Sequence, residues 1–186
     1  MAHAFGNGLG AVYYDEYSSN NNVSEIYLTI QDSAESNQLV YVRGALACSL
    51  DNSQYISINF LTNQNSIINS KYSCRVSGTT SRYNTTSGNN IILNGWWFIG
   101  GNSSPTINSD LFDFEMLIDM TRNAYGAVRG QWTVGYEDGS SYYQQCRGAF
   151  QLISSTAITK LKFFANGQGT GYVRGKLSSQ VLLGNY

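Results

Sequence analysis

The chain has 186 residues, which suits one domain, and 42% of them are hydrophobic, enough for a sizeable core. Only 12% are charged, about half the average for soluble proteins, and the formal net charge is −1. Such a chain lacks the basic field that attracts nucleic acid or anionic lipid. No window approaches about 18 apolar residues in a row. We therefore expect no nucleic-acid partner and no membrane partner.

The N-terminal stretch, residues 1–22, is rich in glycine and asparagine and carries the cluster Tyr13, Tyr14 and Tyr17. We expect residues 1–22 to form an extended arm and residues 23–186 to form one β-sandwich domain. Two interpretations of the arm stay open. It is a disordered terminus, or it is a segment that becomes ordered against a neighbouring subunit, with the tyrosines as the side chains to bury.

The rest of the chain alternates between apolar and polar residues with a period of two, which is typical of half-buried β-strands. Four stretches show this most clearly, beginning near residues 38, 54, 110 and 157. In order, their predicted inward residues are Val40, Val42, Leu46, Cys48 and Leu50; Ile56, Ile58 and Phe60; Phe112, Phe114, Met116, Ile118 and Met120; and Leu161 and Phe163.

Clusters of Gly, Asn, Asp and Ser separate the predicted strands, and no helical periodicity of useful length appears. Proline occurs once and glycine 19 times. Many strands at this spacing predict an all-β fold, a jelly-roll-like antiparallel β-sandwich. A closed barrel is the main alternative.

Aromatic doublets are a further feature, because consecutive residues on a strand point to opposite faces. Each doublet would send one ring into the core and one outward. The outer rings could be buried at a subunit interface, stack on a sugar, or be covered by a loop of the same chain. Together with the tyrosines of the arm, the interface candidates are Tyr13, Tyr14, Tyr17, Trp96, Trp97, Tyr142 and Tyr143.

The sequence offers little for catalysis. His3 is the sole histidine, which argues against a Ser-His-Asp device and excludes a histidine-based zinc site. Three cysteines without CxxC spacing are interpreted as reduced structural residues. Asp113 and Glu115 alternate on one strand, so their carboxyl groups could lie roughly 6–7 Å apart, as in some glycosidases. We interpret them instead as a solvated outer face. The prediction is a chain without enzymatic activity, with no catalytic residues, cofactor or metal.

The C-terminal portion of the chain carries a recognisable order of motifs. A Gly-x-aromatic at Gly148 precedes Thr-Ala-Ile-Thr, an alternating strand, a glycine-rich loop and a last strand ending near Gly184. This order resembles the ending "tAItsI…f…G…LYG" of a family of tailed-phage virion proteins, known from head decoration and related appendage proteins. The matching positions are Ala157, Ile158, Thr159, Leu161, Phe163, Gly167, Gly169, Gly175, Leu182, Leu183 and Gly184, and upstream Phe60, Asn63 and Tyr72. The likeness covers roughly residues 38–186, with "FLTNQ" in place of "FNGD" and Leu183 in place of tyrosine.

The resemblance implies a jelly-roll subunit on a phage capsid, often a trimer, without catalytic residues. We therefore expect a capsid decoration or cement subunit that stabilises the outer shell as a homo-oligomer. Its partners would be the major capsid protein or other virion proteins. It would be made in the host cytoplasm and lie on the capsid exterior or an appendage. The alternative is a carbohydrate-binding module, or a tail-fibre or spike tip domain, that recognises host glycans.

Overall fold

A computed structural model describes residues 12–30, 38–49, 55–68, 72–78, 82–85, 91–92, 111–121, 127–137, 143–153, 156–166 and 172–183. The regular elements in these ranges are all β-strands. Among the same residues, no helix has the length and apolar character needed to cross a bilayer. The strands are β1 (Val12–Val23), β2 (Glu25–Thr29), β3 (Gln38–Ser49), β4 (Tyr55–Leu61), β5 (Tyr72–Gly78), β6 (Arg82–Thr85), β7 (Ile91–Ile92), β8 (Leu111–Asp119), β9 (Ala127–Glu137), β10 (Tyr143–Ile153), β11 (Lys160–Asn166) and β12 (Tyr172–Leu183).

The strands form two antiparallel sheets. The larger sheet has the order β1-β12-β3-β8-β9-β10-β5-β6, and the smaller one has the order β2-β11-β4-β7. The larger sheet is open within the described residues, with β1 and β6 at its ends, rather than closed into a barrel. The predicted all-β antiparallel sandwich is therefore confirmed, whereas its jelly-roll connectivity stays a prediction.

The sheets are held face to face by an apolar core to which both contribute. The Phe114 ring of β8 meets Phe163 of β11 edge to face, with centroids 5.5 Å apart. The Phe60 ring of β4 lies 5.0 Å from that of Phe150 on β10. Complete burial of each such side chain contributes about 1.5–3 kcal/mol. The hydroxyl of Ser179 on β12 also donates a 2.6 Å hydrogen bond to the carbonyl oxygen of Thr29 at the end of β2.

The alternation in the sequence predicts the inner faces of β3 and β8 correctly wherever their side chains are described. The predicted inward residues of β3 and β8 that are found buried are Val40, Val42, Leu46, Phe114, Met116, Ile118 and Met120. The acidic positions between them face the other way: Asp113 and Glu115 are exposed, and Asp119 is half-buried. On β11, Leu161 and Phe163 are buried as predicted.

Strand β4 departs from the expectation of a half-buried strand. Ile58 and Phe60 are buried as predicted, but Ser57 and Asn59 on its opposite face are buried as well. The strand lies inside the smaller sheet, between β11 and β7. Alternation of apolar and small polar residues reports which face is more apolar, not whether the polar face is covered, so the pattern alone could not predict this burial.

The N-terminal segment enters the larger sheet. β1 runs antiparallel to β12, with Val12 opposite Leu182 and Ser19 opposite Gly175, and the register shifts before Val23. Tyr17 is half-buried and packs against the core. Residues 12–22, predicted to belong to an arm ahead of the sandwich, are thus the edge strand of its larger sheet. Residues 1–11 of that arm lie outside the described residues.

Candidate functional site

The outer face of the larger sheet carries two adjoining depressions, which we call the outer-face groove. The first has a volume of about 510 Å³ and the second about 260 Å³. Both are lined by Glu115 of β8 and Thr133 of β9, so they lie side by side on the same face. Concave surfaces with convergent polar groups are the usual form of a ligand site.

Small residues make room for the first depression, while long charged side chains surround it. Ala45, Gly135 and Ser178 contribute little or no side chain. The charged residues of the two depressions are Glu16, Asp113, Glu115, Arg43, Lys176 and Arg147, three acidic and three basic. Because the charges balance, the groove as a whole favours neither a polyanion nor a polycation.

Tyr41 and Glu115, which both line the second depression, join strands β3 and β8. The Tyr41 hydroxyl donates a 3.0 Å hydrogen bond to Oε1 of Glu115. Burial, and then the hydrogen bond to Glu115 and its negative charge, raise the pKa of the Tyr41 phenol above its ordinary value, while Arg43 opposes the shift. The phenol therefore stays protonated in neutral solution and serves as a fixed donor that orients the carboxylate.

The register of the strands aligns six outward-facing residues in one row across the sheet. Glu16 pairs with Ser178, Ser178 with Arg43, and Arg43 with Glu115. Thr133 then lies between Glu115 and Arg147. We call this set the charged row; across β1, β12, β3, β8, β9 and β10 it reads Glu16, Ser178, Arg43, Glu115, Thr133 and Arg147.

A second polar cluster lies on the outer face of the smaller sheet. Lys162 Nζ contacts Glu25 Oε1 at 2.9 Å and lies 4.8 Å from the centroid of the Phe164 ring. The hydroxyl of Tyr27 donates a hydrogen bond to the other oxygen of Glu25. The hydrogen bonds from Tyr27 and Lys162 lower the pKa of Glu25, and burial partly opposes them. This arrangement fastens β2 to β11 and presents Tyr27, which is 43% exposed.

The structure locates the predicted interface residues only in part. Tyr13 and Tyr14 lie on β1, and Tyr143 begins β10 opposite Glu137. Tyr17 is the one whose side chain is described, and it packs against the core. Trp96, Trp97 and Tyr142 lie outside the described residues. Their role at an interface stays a prediction.

Of the residues that line the groove, only Asp113 and Glu115 were considered as candidate site residues from the sequence. The alternation of β3 does indicate that Tyr41 and Arg43 point away from the core, because they interleave with Val40 and Val42. It does not indicate which strands lie beside β3. Only the strand order brings Glu16 and Arg147, 131 positions apart in the numbering, into one row.

Asp113 and Glu115 line the first depression together and are both exposed. This agrees with the interpretation of a solvated outer face, and their lack of a catalytic role stays a prediction. Within the ranges that the structure describes, no three His, Cys, Asp or Glu side chains are arranged to hold a metal ion.

Comparison with known proteins adds no relative: no family model, curated protein or solved structure matches the chain.

Proposed function

We propose that the chain is a non-enzymatic virion structural protein, a decoration or cement subunit that binds the outer shell of a tailed-phage capsid as a homo-oligomer. The observation that carries the proposal is the resemblance of residues 38–186 to the motif order of phage head decoration and appendage proteins. The all-β sandwich is the architecture that this resemblance implies.

The motif residues have structural roles in the sandwich, which supports the resemblance at the level of the fold. Thr159, in the Thr-Ala-Ile-Thr motif, donates its backbone N–H to the carbonyl of Leu61 at 3.0 Å and accepts from the N–H of Ile30 at 2.9 Å. The motif thereby ties the start of β11 to both of its neighbours. Ile158, Leu161 and Phe163 are completely buried. Such residues specify a fold and leave function to the surface.

A turn after β4 holds Asn63, one of the matching positions upstream, in the segment where the chain departs from the family pattern. The carbonyl oxygen of Asn63 accepts a 3.2 Å hydrogen bond from Lys160 Nζ, which also donates to Oδ1 of Asn65 at 2.8 Å. Asn65 has a φ of 61°, in the left-handed region that asparagine tolerates well. The "FLTNQ" segment that replaces "FNGD" thus forms a closed turn fastened by the first residue of β11.

The surface supports a role in binding a large partner. Around the outer-face groove, the larger sheet presents mostly charged, amide and hydroxyl side chains, with Ala45 and Leu117 among them. Contacts repeated over many copies on a symmetric shell add up, so that weak individual contacts suffice.

The test is made on particles of the phage that encodes the chain. We expect mass spectrometry to detect the chain in purified particles, and gold-labelled antibodies against it to decorate the head. Shells lacking the chain should bind it when it is added back and should then rupture at a higher temperature. Absence of the chain from mature particles, or label confined to the tail, would overturn the proposal of a shell-binding subunit.

A second candidate function is recognition of a neutral glycan, favoured by the chemistry of the outer-face groove. Sugar hydroxyls hydrogen-bond to carboxylates and guanidinium groups of the kind that Glu115 and Arg43 present, and the half-buried ring of Tyr41 offers a stacking surface. An array of neutral glycans tests this. Selective binding that Tyr41→Ala removes and Lys160→Ala leaves intact would support it, whereas an array without signal would contradict it.

A further inference from the structure

The order of charges along the charged row is such that the row, turned end to end, would face a copy of itself with opposite charges at every charged position. Read from β1 to β10 it is acidic, hydroxyl, basic, acidic, hydroxyl, basic, from Glu16 to Arg147. When the row is read in the opposite direction, from β10 to β1, a basic residue stands at each position where the first reading has an acidic one, and an acidic residue where it has a basic one. The two hydroxyl positions coincide. All four charged members of the row are exposed.

We propose that this face binds a second copy of the same chain across a two-fold axis. The axis runs parallel to the strands, between β3 and β8, and midway between the two stacked faces. It sets Arg43 against Glu115 of the second copy, and Glu16 against Arg147 of the second copy. Ser178 meets Thr133 of the second copy.

The geometry of β-sheets permits this arrangement. Neighbouring strands are about 4.8 Å apart, so the row is roughly 24 Å long, and stacked sheets lie about 10 Å apart. Packed sheets differ in strand direction by about 30° because each is twisted. Residues near the axis therefore stay closest to register, and Arg43 and Glu115 are the two members of the row that flank it.

The next row toward the N-terminal end of β3 agrees with the same axis. It contains Gln180, Tyr41, Leu117 and Gln131 in neighbouring positions. Reversal sets Tyr41 against Leu117 and Gln180 against Gln131, so an aromatic ring meets an aliphatic side chain and one amide meets another. These contacts remove apolar surface from water without leaving an amide unpaired.

The row on the other side of the charged row also avoids like charges. There Lys176, Ala45, Asp113 and Gly135 occupy neighbouring positions. The two-fold axis places Lys176 opposite Gly135 of the second copy. Asp113 of the second copy is then one strand away, which is within reach of a lysine side chain. The small residues of the first depression leave space for such long side chains to enter from the opposite face.

The inference goes beyond the proposed function, because it concerns how copies meet and does not depend on a shell. A two-fold contact also differs from the three-fold contact of a trimer. It would join single chains in pairs, or trimers in pairs. Because exposed ion pairs contribute little and are screened by salt, we expect a contact that weakens as ionic strength rises.

Charge reversal in the purified full-length chain tests the proposal by sedimentation velocity over a range of concentrations. Wild type should form a species of twice the mass of the smallest one, less so at high salt. R43E alone, or E115R alone, sets like charges face to face at both symmetry-related contacts, so we expect the dissociation constant to rise about tenfold or more. The R43E/E115R double variant restores opposite charges and should recover wild-type pairing to within about threefold.

Mixing the two single variants gives the sharpest readout. R43E in one chain and E115R in the other make both central contacts attractive, so labelled R43E should pair with excess E115R although neither variant pairs with itself. Lys160→Glu makes the same change in net charge on the smaller sheet and should pair like wild type. Circular dichroism melting identifies any variant that fails to fold.

Three results would overturn the proposal. The first is a wild-type chain that shows no concentration-dependent doubling at low salt. The second is pairing that R43E leaves unchanged. The third is pairing that both single variants abolish and their mixture does not restore, which would indicate a contact without this two-fold axis. If the wild-type chain never pairs, and it binds a glycan that R43E does not bind, this face binds the glycan and not a second copy. Labelling of phage heads is a separate measurement, so this proposal can fail while the shell-binding role stands.

Discussion

Gly148 of β10 lies directly opposite Trp132 of β9, and the indole occupies the space that a side chain at residue 148 would need. A Cβ built on Gly148 would lie 2.0 Å from Cζ2 of Trp132. Trp132 is itself only 2% exposed, so its ring has no free direction in which to move. The glycine therefore makes room for the largest side chain of the described core.

Replacement of Gly148 by alanine should destabilise the fold. We expect Gly148→Ala to lower the free energy of unfolding by about 1–3 kcal/mol, because the added methyl group must displace a close-packed ring. Urea denaturation followed by circular dichroism measures the loss. Ala149→Ser, at the exposed neighbouring position, should stay within about 0.5 kcal/mol of wild type.

A double variant tests whether the ring of Trp132 causes the loss of stability in Gly148→Ala. In a Trp132→Leu background, Gly148→Ala should cost much less than in wild type, because the two sites are in direct contact and their effects are not additive. Equal costs in both backgrounds would show that the loss arises from the backbone of β10 and not from the ring.

The glycines inside the strands show how far the sequence could predict this fold. Alternation was sufficient to identify β3, β8 and β11 and those of their inward residues whose side chains are described, because one face of each sheet must be apolar. Gly148 enters the sequence pattern only as the start of a Gly-x-aromatic motif, and neither Gly148 nor Gly130 has a side chain that could mark a face of its strand. Their role as space for Phe150 and Trp132 depends on which residues lie opposite, and hence on the strand register.

The candidate site was less predictable than the core for a related reason. Arg43 and Glu115 are 72 positions apart in the numbering and directly opposite in the ladder between β3 and β8. Each is an ordinary outward-facing charge within its own strand. The order of charges across the sheet has meaning only after the strand order β1-β12-β3-β8-β9-β10 is known. Period-two alternation shows which face of a strand is apolar and carries no information about which strands lie beside it.

Tyr41 should titrate later than an ordinary tyrosine. Its pKa is raised by burial first and then by the hydrogen bond to Glu115 and the charge of that carboxylate. The difference in absorbance at about 295 nm between wild type and Tyr41→Phe should therefore have its midpoint above pH 10, the usual range for a phenol. In Glu115→Gln the midpoint should move only part of the way back, because burial remains. A midpoint unchanged in Glu115→Gln would contradict the contribution of the carboxylate.

The same shift has a consequence for stability in alkali. A phenol whose pKa is higher in the folded than in the unfolded chain stabilises the fold fully below its unfolded pKa. That contribution is lost as the pH rises through the folded pKa. Above about pH 10, wild type should therefore lose stability more steeply than Tyr41→Phe. Parallel curves of unfolding free energy against pH for the two proteins would contradict this.

Glu25 should make the fold sensitive to acid. Hydrogen bonds from Tyr27 and Lys162 lower its pKa, so its contribution is present above the unfolded pKa and is lost as the pH falls through the lower folded value. Since 34% of the Glu25 side chain is exposed, we expect Glu25→Gln to cost about 1 kcal/mol or less at neutral pH. The difference should shrink as the pH falls below 4.5, the ordinary pKa of a glutamate, and through the lower folded pKa of Glu25. Urea titrations of both proteins at several pH values measure it.

A matched control separates the effect of the Glu25–Lys162 contact on stability from the effect of removing any one negative charge. Asp113→Asn makes the same chemical change, a carboxylate to an amide, at an exposed position of β8, on the other sheet. Its unfolding free energy should follow that of wild type more closely across the acid range. Acid sensitivity that is the same in wild type and Glu25→Gln would show that the contact between β2 and β11 contributes nothing measurable.

Strand β1 should be needed for the stability of the sandwich, because it pairs with β12 and places Tyr17 against the core. We expect Tyr17→Ala to lower the free energy of unfolding by about 1–2 kcal/mol, less than full burial of an aromatic ring would give, since Tyr17 is half-buried. Ser18→Ala, at the exposed position beside it, should change little. Deletion of residues 1–22 should cost more than Tyr17→Ala, because it also exposes the backbone edge of β12. A shortened chain that unfolds at the wild-type temperature would show that β1 is a dispensable addition to the sheet.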